Sequence, residues 1–386
     1  MSDKSFLSRL PDPGRPLLEV KGIDLVERLG MEAVRGVVCD IMAGVNVRTA
    51  TEALTRKRIT LLNVALLVMY LRAQRDFGPL GRDVTSAVRA ELELGGMPPS
   101  EKRVLWWMLG LTKKQIDNVL RSDPDAWDDY IEKFSDAISD TVKEAEKTHG
   151  ELNGSLSVGG EDKQIPIDWR WAIHLMTAVG AQTLATRGSE KSMYGKFFEK
   201  LILGGILHVL GLRLISEGSS VSDNVYWLSS RGRKRESDAT ALFDKGIGIR
   251  FDIGFIGVGN TEISLDKVSR FEREIEMGGK SKFMHTIIIV DRIGDRSRIV
   301  ELAKEIDGTI LQMSSKNWPI QLAAKLEEIV DGFESPFKEM DDEETVSYIR
   351  KRITTAPFDE ILKIVQEEPN DNDPGGDPEA PTEAEE

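Results

Sequence analysis

The sequence predicts an α+β protein in which an N-terminal helical domain precedes a mixed sheet flanked by helices. Three observations carry this expectation. Residues 1–150 follow the 3.6-residue apolar period with few β-branched runs. The stretch GELNGSLSVGGEDK, ending at Lys163, is rich in Gly and Ser and reads as a linker. From Asp168 to Gly332 helical and two-residue periods alternate in quick succession, the texture of a sheet with helices packed on it. A chain of 386 residues suits two or three domains. The expected division is a helical domain over 1–150, a linker over 151–163, an α/β domain over 164–333, a helical segment over 334–366 and a disordered tail over 367–386. No internal repeat is visible.

Apolar residues make up 40% of the chain and charged residues 30%, enough for a real core and unlike collagen, mucin or a disordered chain. The single cysteine, Cys39, excludes a disulfide scaffold and a Cys-rich zinc site and fits a reducing compartment. The opening MSDKSFLSRLPDPGRP has no apolar h-region. The apolar runs Ile59–Leu71 and Leu201–Leu210 fall short of the ~20 residues of a spanning helix. The expectation is a soluble, cytoplasmic protein with no membrane partner. A net charge of −14 looks hostile to nucleic acid, but the last twenty residues hold nine acids and no base. Between Arg187 and Arg298, 19 Lys and Arg outnumber 15 Asp and Glu, so the total does not exclude a DNA-facing core.

In the helical part, Ser100 is expected to cap the segment SEKRVLWWMLG, which stops at Gly110. Thr112 and Gln115 then resemble a capping box opening TKKQIDNVLRS. Two short helices about Gly110 admit a helix-turn-helix reading, but nothing beyond the turn supports it over an ordinary helical hairpin. Trp106 and Trp107 are adjacent, so at most one of them belongs to the deep core.

The stretch that carries chemistry runs from Gly246 to Glu276. Ile249, Phe251, Ile253 and Phe255 alternate as one buried strand face, with Arg250, Asp252 and Gly254 on the opposite, non-core face. Gly257–Asn260 (GVGN) can close a tight hairpin, and TEISL alternates again with Ile263 and Leu265 inward. Asp266 can cap a helix carrying Val268, Phe271 and Ile275. Asp252 and Glu262 then share one face of adjacent strands. Two carboxylates that close repel one another unless a divalent cation sits between them, and Mg²⁺ takes one or two carboxylates with waters and phosphate oxygens. The competing reading is a solvated hairpin face with exposed acids.

Three further features bear on this choice. Glu199 sits beside the apolar stripe of SMYGKFFEKLILGGIL, a costly place for a carboxylate unless it is paired with Lys196 or Lys200 or bound to metal. Arg231, Arg233, Lys234 and Arg235 crowd together before Glu236 and Asp238, a cluster suited to phosphate although also to a solvated turn. HTIIIVD, ending at Asp291, and TILQMS read as further strands.

This order resembles the PD-(D/E)xK nuclease core. The phrases RKRESDAT and IRFDIGFIGVGNTEISLDKVSRFE are similar to type II restriction endonucleases, in particular the CfrBI-like group, over roughly residues 187–329. The resemblance implies a Mg²⁺-dependent, site-specific endonuclease acting on double-stranded DNA, with a homodimer for a palindromic site and a cognate methyltransferase in the same system. It makes Asp252 and Glu262 the metal acids and Glu199 an auxiliary carboxylate. Asp238 is a further metal ligand in this reading. Arg231, Arg233, Lys234, Arg235 and Arg270 would contact DNA. The family places a lysine two residues after its second acid, and here that position is Ser264. Lys267, one turn further on, is the preferred substitute, with Lys234 or Arg235 as others. A second register pairs Asp238 with Asp252 and puts Gly254, which has no side chain, in the lysine position. The departure at Ser264 also leaves open a non-catalytic DNA-binding protein with a degenerate nuclease fold. An interaction protein acting through its acidic tail is a third possibility.

The four histidines show no metal-ligand spacing, and His208 reads as a satisfied helix residue. Gly257, Gly259 and Asn260 lack the third glycine and helix start of a dinucleotide fingerprint.

Overall fold

The structure, a computed structural model, describes residues 5–18, 22–78, 84–94, 96–119, 124–157, 164–216, 223–229, 237–243, 247–254, 284–291 and 308–366. The chain divides into two compact units, Met1–Val34 with Thr51–Gly195, and Arg35–Ala50 with Lys196–Glu386.

The first unit is built of helices. They are α1 (Arg15–Leu18), α2 (Gly22–Leu29), most of α4 (Val47–Phe77), α5 (Val84–Glu93), α6 (Pro99–Met108), α7 (Lys113–Val119), α8 (Pro124–His149) and the start of α9 (Trp169–Val209). Leu62, Leu66, Met69 and Ala73 recur along α4 at helical spacing and close a core with Val88, Val104, Leu105, Met108, Trp171 and Ala178. Trp107 joins this core, while Trp106 lies at its edge with the Lys102 ammonium 5.7 Å from its ring centre, as two adjacent helical residues must divide. The N-cap of α6 is Pro98 with Pro99 as first residue, so Ser100 lies inside the first turn rather than capping it. Proline occupies that start because its missing N–H would have had no partner there. Half of the expected box at α7 forms, with Thr112 N donating to Gln115 Oε1 at 2.8 Å. Within the expected linker, Gly154–Leu156 (β1) pairs antiparallel with Ile165–Ile167 (β2). The boundary between the compact units falls instead inside α9, whose 41 residues run without a break.

The second unit centres on a six-stranded mixed sheet. Its strands, in spatial order, are β3 (Arg213–Leu214), β4 (Val225–Leu228), β5 (Ala239–Leu242), β6 (Gly248–Gly254), β7 (Met284–Val290) and β8 (Gly308–Gln312). β4, β5 and β6 form an antiparallel meander, and β6, β7 and β8 run parallel. Tyr226, Ala239, Ala241, Ile249, Phe251, Ile253, Ile287 and Ile289 line a single buried face. The end of α9 packs there: Tyr226 donates its hydroxyl to the Gly204 carbonyl at 2.9 Å, and a Cβ at Gly204 would meet Ile361. Three more helices complete the unit, α10 (Trp318–Ile329), α11 (Asp342–Ile353) and α12 (Phe358–Gln366), together with most of α3 (Met31–Met42). The fully buried Trp318 donates its indole N–H to the Ile41 carbonyl at 3.0 Å. The α+β class with a mixed sheet and flanking helices is therefore as expected.

One detail of the β6 region differs from the expectation. The Arg250–Gly254 side is not a solvated face, since Asp252 is only 9% exposed. In addition, β5 and β7 hold both edges of β6 over residues 248–251, and β7 continues to Gly254. The GVGN turn and the TEISL strand lie outside the described residues.

Candidate active site

The ladder places residues across the sheet in rows. β4 pairs Leu228 with Ala239, and β5 pairs Ala239 with Phe251. Ser229, Asp238 and Asp252 each lie one residue past these last pairs, and Asp252 faces Ile288 on β7. A backbone bond continues β4 against β5 by one step, and toward β6 the Asp238 side chain takes the place of the ladder. Ser229 N donates to the Asp238 carbonyl at 3.2 Å, and Ile253 N donates to Asp238 Oδ2 at 2.9 Å. The Asp238 carboxylate is thus held against the backbone beside Asp252.

α9 holds the end of β4 from the other face of the sheet. Gly204 meets Tyr226, and one turn earlier Lys200 donates its ammonium to the Ser229 carbonyl. Lys200 is 5% exposed, among the most enclosed charges of the described residues, and Glu199 beside it is half-buried. The structure therefore brings Asp238 beside the Asp252 end of β6, on the sheet face opposite the one that α9 covers, while Lys200 on α9 holds the backbone of Ser229. Among the described residues no three His, Cys, Asp or Glu side chains form a ready metal cage. Glu262, Lys267, Arg231, Arg233, Lys234, Arg235 and Arg270 lie outside the described residues.

Sequence reasoning treated Lys200 only as a neutralising neighbour of Glu199. The signal for its burial was present, because Phe197, Leu203, Gly204 and Leu207 surround it at i−3, i+3, i+4 and i+7, an apolar stripe. Other polar groups are unsuited to the chemistry. Burial pushes the Cys39 thiol up to about 11, which leaves it a poor nucleophile. His208 shares a 3.2 Å hydrogen bond with Thr355 Oγ1, and burial lowers its pKa.

The comparisons with known proteins are specific. The family model for the CfrBI restriction endonuclease matches residues 31–298. The type II restriction enzyme CfrBI of Citrobacter freundii is 37% identical over 311 residues, which cover 80% of this chain and 84% of that enzyme. No solved structure matches.

Proposed function

The chain belongs to the CfrBI restriction endonuclease family, and from that premise we propose that it is a type II enzyme cutting double-stranded DNA at a specific site by Mg²⁺-dependent phosphodiester hydrolysis. The observation that carries the reading is the Asp238 carboxylate held by the backbone N–H of Ile253, next to Asp252, inside the matched region. Two oxygen donors of that kind suit Mg²⁺, which keeps waters and phosphate oxygens in its remaining positions. A bound Mg²⁺ supplies positive charge against the scissile phosphate and makes a coordinated water more acidic.

Asp252 belongs to both acid pairings open to the sequence. The register supports Asp238 as its mate, and the backbone N–H of Ile253 holds that carboxylate in position. Glu199 is assigned as an auxiliary carboxylate at the edge of the site, with Glu262 and Lys267 as accessory groups from the following segment. The cationic run Arg231, Arg233, Lys234 and Arg235 joins Ser229 to Ser237 in the chain. Ser229 is the immediate neighbour of the acid row and Ser237 precedes Asp238, so the run is tethered to the site at both ends. Its charge then suits the phosphates flanking the scissile bond, with Arg270 as a further contact. Hydrolysis forms one P–O bond to the water oxygen and breaks one ester P–O bond. The water gives up a proton, and the departing oxygen takes one. A two-fold target site calls for a homodimer, and cutting of this kind calls for a methyltransferase that protects the cell's own DNA in the cytoplasm.

The test is direct. Purified protein and long unmethylated duplex DNA should yield discrete fragments with Mg²⁺ and none with EDTA. Asp238→Asn and Asp252→Asn should each lower the rate about 100-fold or more, while Glu262→Gln stays within tenfold. A Glu262→Gln loss with Asp238→Asn active would move the metal to the Asp252 and Glu262 pair. No cutting with DNA binding retained would support a binding-only protein.

A further inference from the structure

We infer that Arg250, two residues before Asp252 on β6, receives the scissile phosphate, its guanidinium binding phosphate oxygens next to the metal acids. The inference rests on the nuclease reading above and names a substrate contact of the same site.

The strand sets the placement. β6 pairs with β7 without interruption from Gly248 to Gly254, so its side chains alternate between two faces. Ile249, Phe251 and Ile253, each fully buried, take the apolar face. Arg250 and Asp252 share the other, two strand steps and so about 6.6 Å apart at their backbones. An arginine side chain is long enough to span that separation. The next position of this face is Gly254, so within β6 the cation precedes the acid. Across the sheet, Trp227, Thr240, Arg250, Thr286 and Gly308 form one row. The two threonines that flank Arg250 are each 8% exposed, whereas Arg250 is half-buried. Its longer side chain overtops them and reaches the solvent side of the row, where a phosphate arrives.

The make-up of this face separates the role from a merely structural one. The apolar face already supplies what β6 gives to the core. A Thr–Arg–Thr row followed by a buried aspartate sets polar groups where a core strand would be apolar, and such departures concentrate at functional sites. Two carboxylates repel a phosphate anion, and a guanidinium on the same face offsets that repulsion. Its planar fork matches two phosphate oxygens at once. Arg250 changes no bond in the reaction; it keeps its proton and stabilises negative charge on the phosphate oxygens.

Arg250→Gln and Arg250→Lys, compared with wild type, test the contact. Duplex affinity is measured in Ca²⁺ over a salt series, where each phosphate contact contributes about 0.9 to the slope of log K against log salt. Arg250→Gln should lose about one such contact from the slope and cut about 100-fold more slowly or worse with Mg²⁺. Arg250→Lys keeps the charge without the fork, so it should hold the wild-type slope and cut at a rate between the other two. Calorimetric Mn²⁺ binding by Arg250→Gln without DNA should be as tight as wild type or tighter, because a positive charge has left the neighbourhood of the carboxylates. Rates are compared at a temperature where circular dichroism shows each variant folded. An unchanged slope in Arg250→Gln would overturn the assignment, as would cutting within threefold of wild type. So would a joint fall in Mn²⁺ binding and melting temperature in both variants, which marks an arginine that only holds Asp252 in place. A wild type that binds duplex without cutting fails the nuclease reading alone, and the slope then still decides whether Arg250 holds a phosphate.

Discussion

His174 has no place in the chemistry, yet its burial gives it a measurable effect. Its imidazole is 4% exposed and lies against the Phe134 ring, centroids 6.1 Å apart, with no hydrogen-bond partner for Nδ1 among the described residues. Burial first, and the Arg170 charge second, push its pKa down from 6.5 to about 4. Between those two values the unfolded chain binds a proton that the folded chain refuses, so stability falls as the pH falls. The contribution is fully present above pH 6.5, and about 3 kcal/mol is the most this residue can lose on descending to pH 4. His174→Phe should remove that part of the pH dependence. Melting curves of wild type and variant at pH 7 and pH 5 check it: the wild type should lose more on acidification, and parallel losses would assign the effect to other groups. Single residues were unevenly legible in the sequence. Asp252 declared itself through strand alternation, but its burial did not, because its neighbour across the ladder is Ile288 of β7, set by pairing over a long separation. Asp238 was visible only as one of two acids after a basic run, since the Ile253 N–H that holds its carboxylate comes from a strand that no local pattern places beside it.

At the scale of the element, the end of α3 shows how a turn is fixed by both chemistry and neighbours. Gly44 has φ +84°, Gly44 N donates to the Ile41 carbonyl at 3.0 Å, and Val45 N donates to the Asp40 carbonyl at 2.9 Å, the pattern of a glycine helix terminator. A Cβ there would lie 2.8 Å from Lys316 Cα and 2.9 Å from Lys316 N, which are backbone atoms that cannot swing aside. Gly44→Ala therefore meets both left-handed strain and a backbone clash, and should destabilise the protein by about 2–4 kcal/mol. Urea unfolding followed by tryptophan fluorescence measures this, and a loss under about 0.5 kcal/mol would mean that the turn relaxes freely. Elements were the best-read level of the sequence, because periodicity is local. The strand over 249–254, the strand ending at Asp291 and the helices about Gly110 all stand where their patterns put them. Caps were less legible, as Ser100 shows, since proline and serine compete for a helix start within two residues.

The division of the whole molecule into units was the least legible level. The Gly- and Ser-rich stretch read as a linker contains β1, which pairs with β2 just after it, and the compact units part within an unbroken α9. Compactness follows from which residues pack together across the chain, and no composition change marks Gly195. Charge, by contrast, is a whole-molecule property that the sequence states in full. The total is −14, and residues 367–386 contribute nine of those negative charges. DNA carries a dense negative charge, so a tethered acidic segment repels it and competes for the same cations. A chain ending at Gln366, with a net charge near −5, should give the same fragments at the same saturated rate. It should associate with duplex several-fold faster at about 50 mM salt, where charges interact over more than about 10 Å. The advantage should vanish by about 0.5 M salt as screening shortens that range. Equal association at low salt would show that the tail lies out of reach of the DNA path. Loss of cleavage would make the tail part of the working protein rather than an electrostatic brake on it.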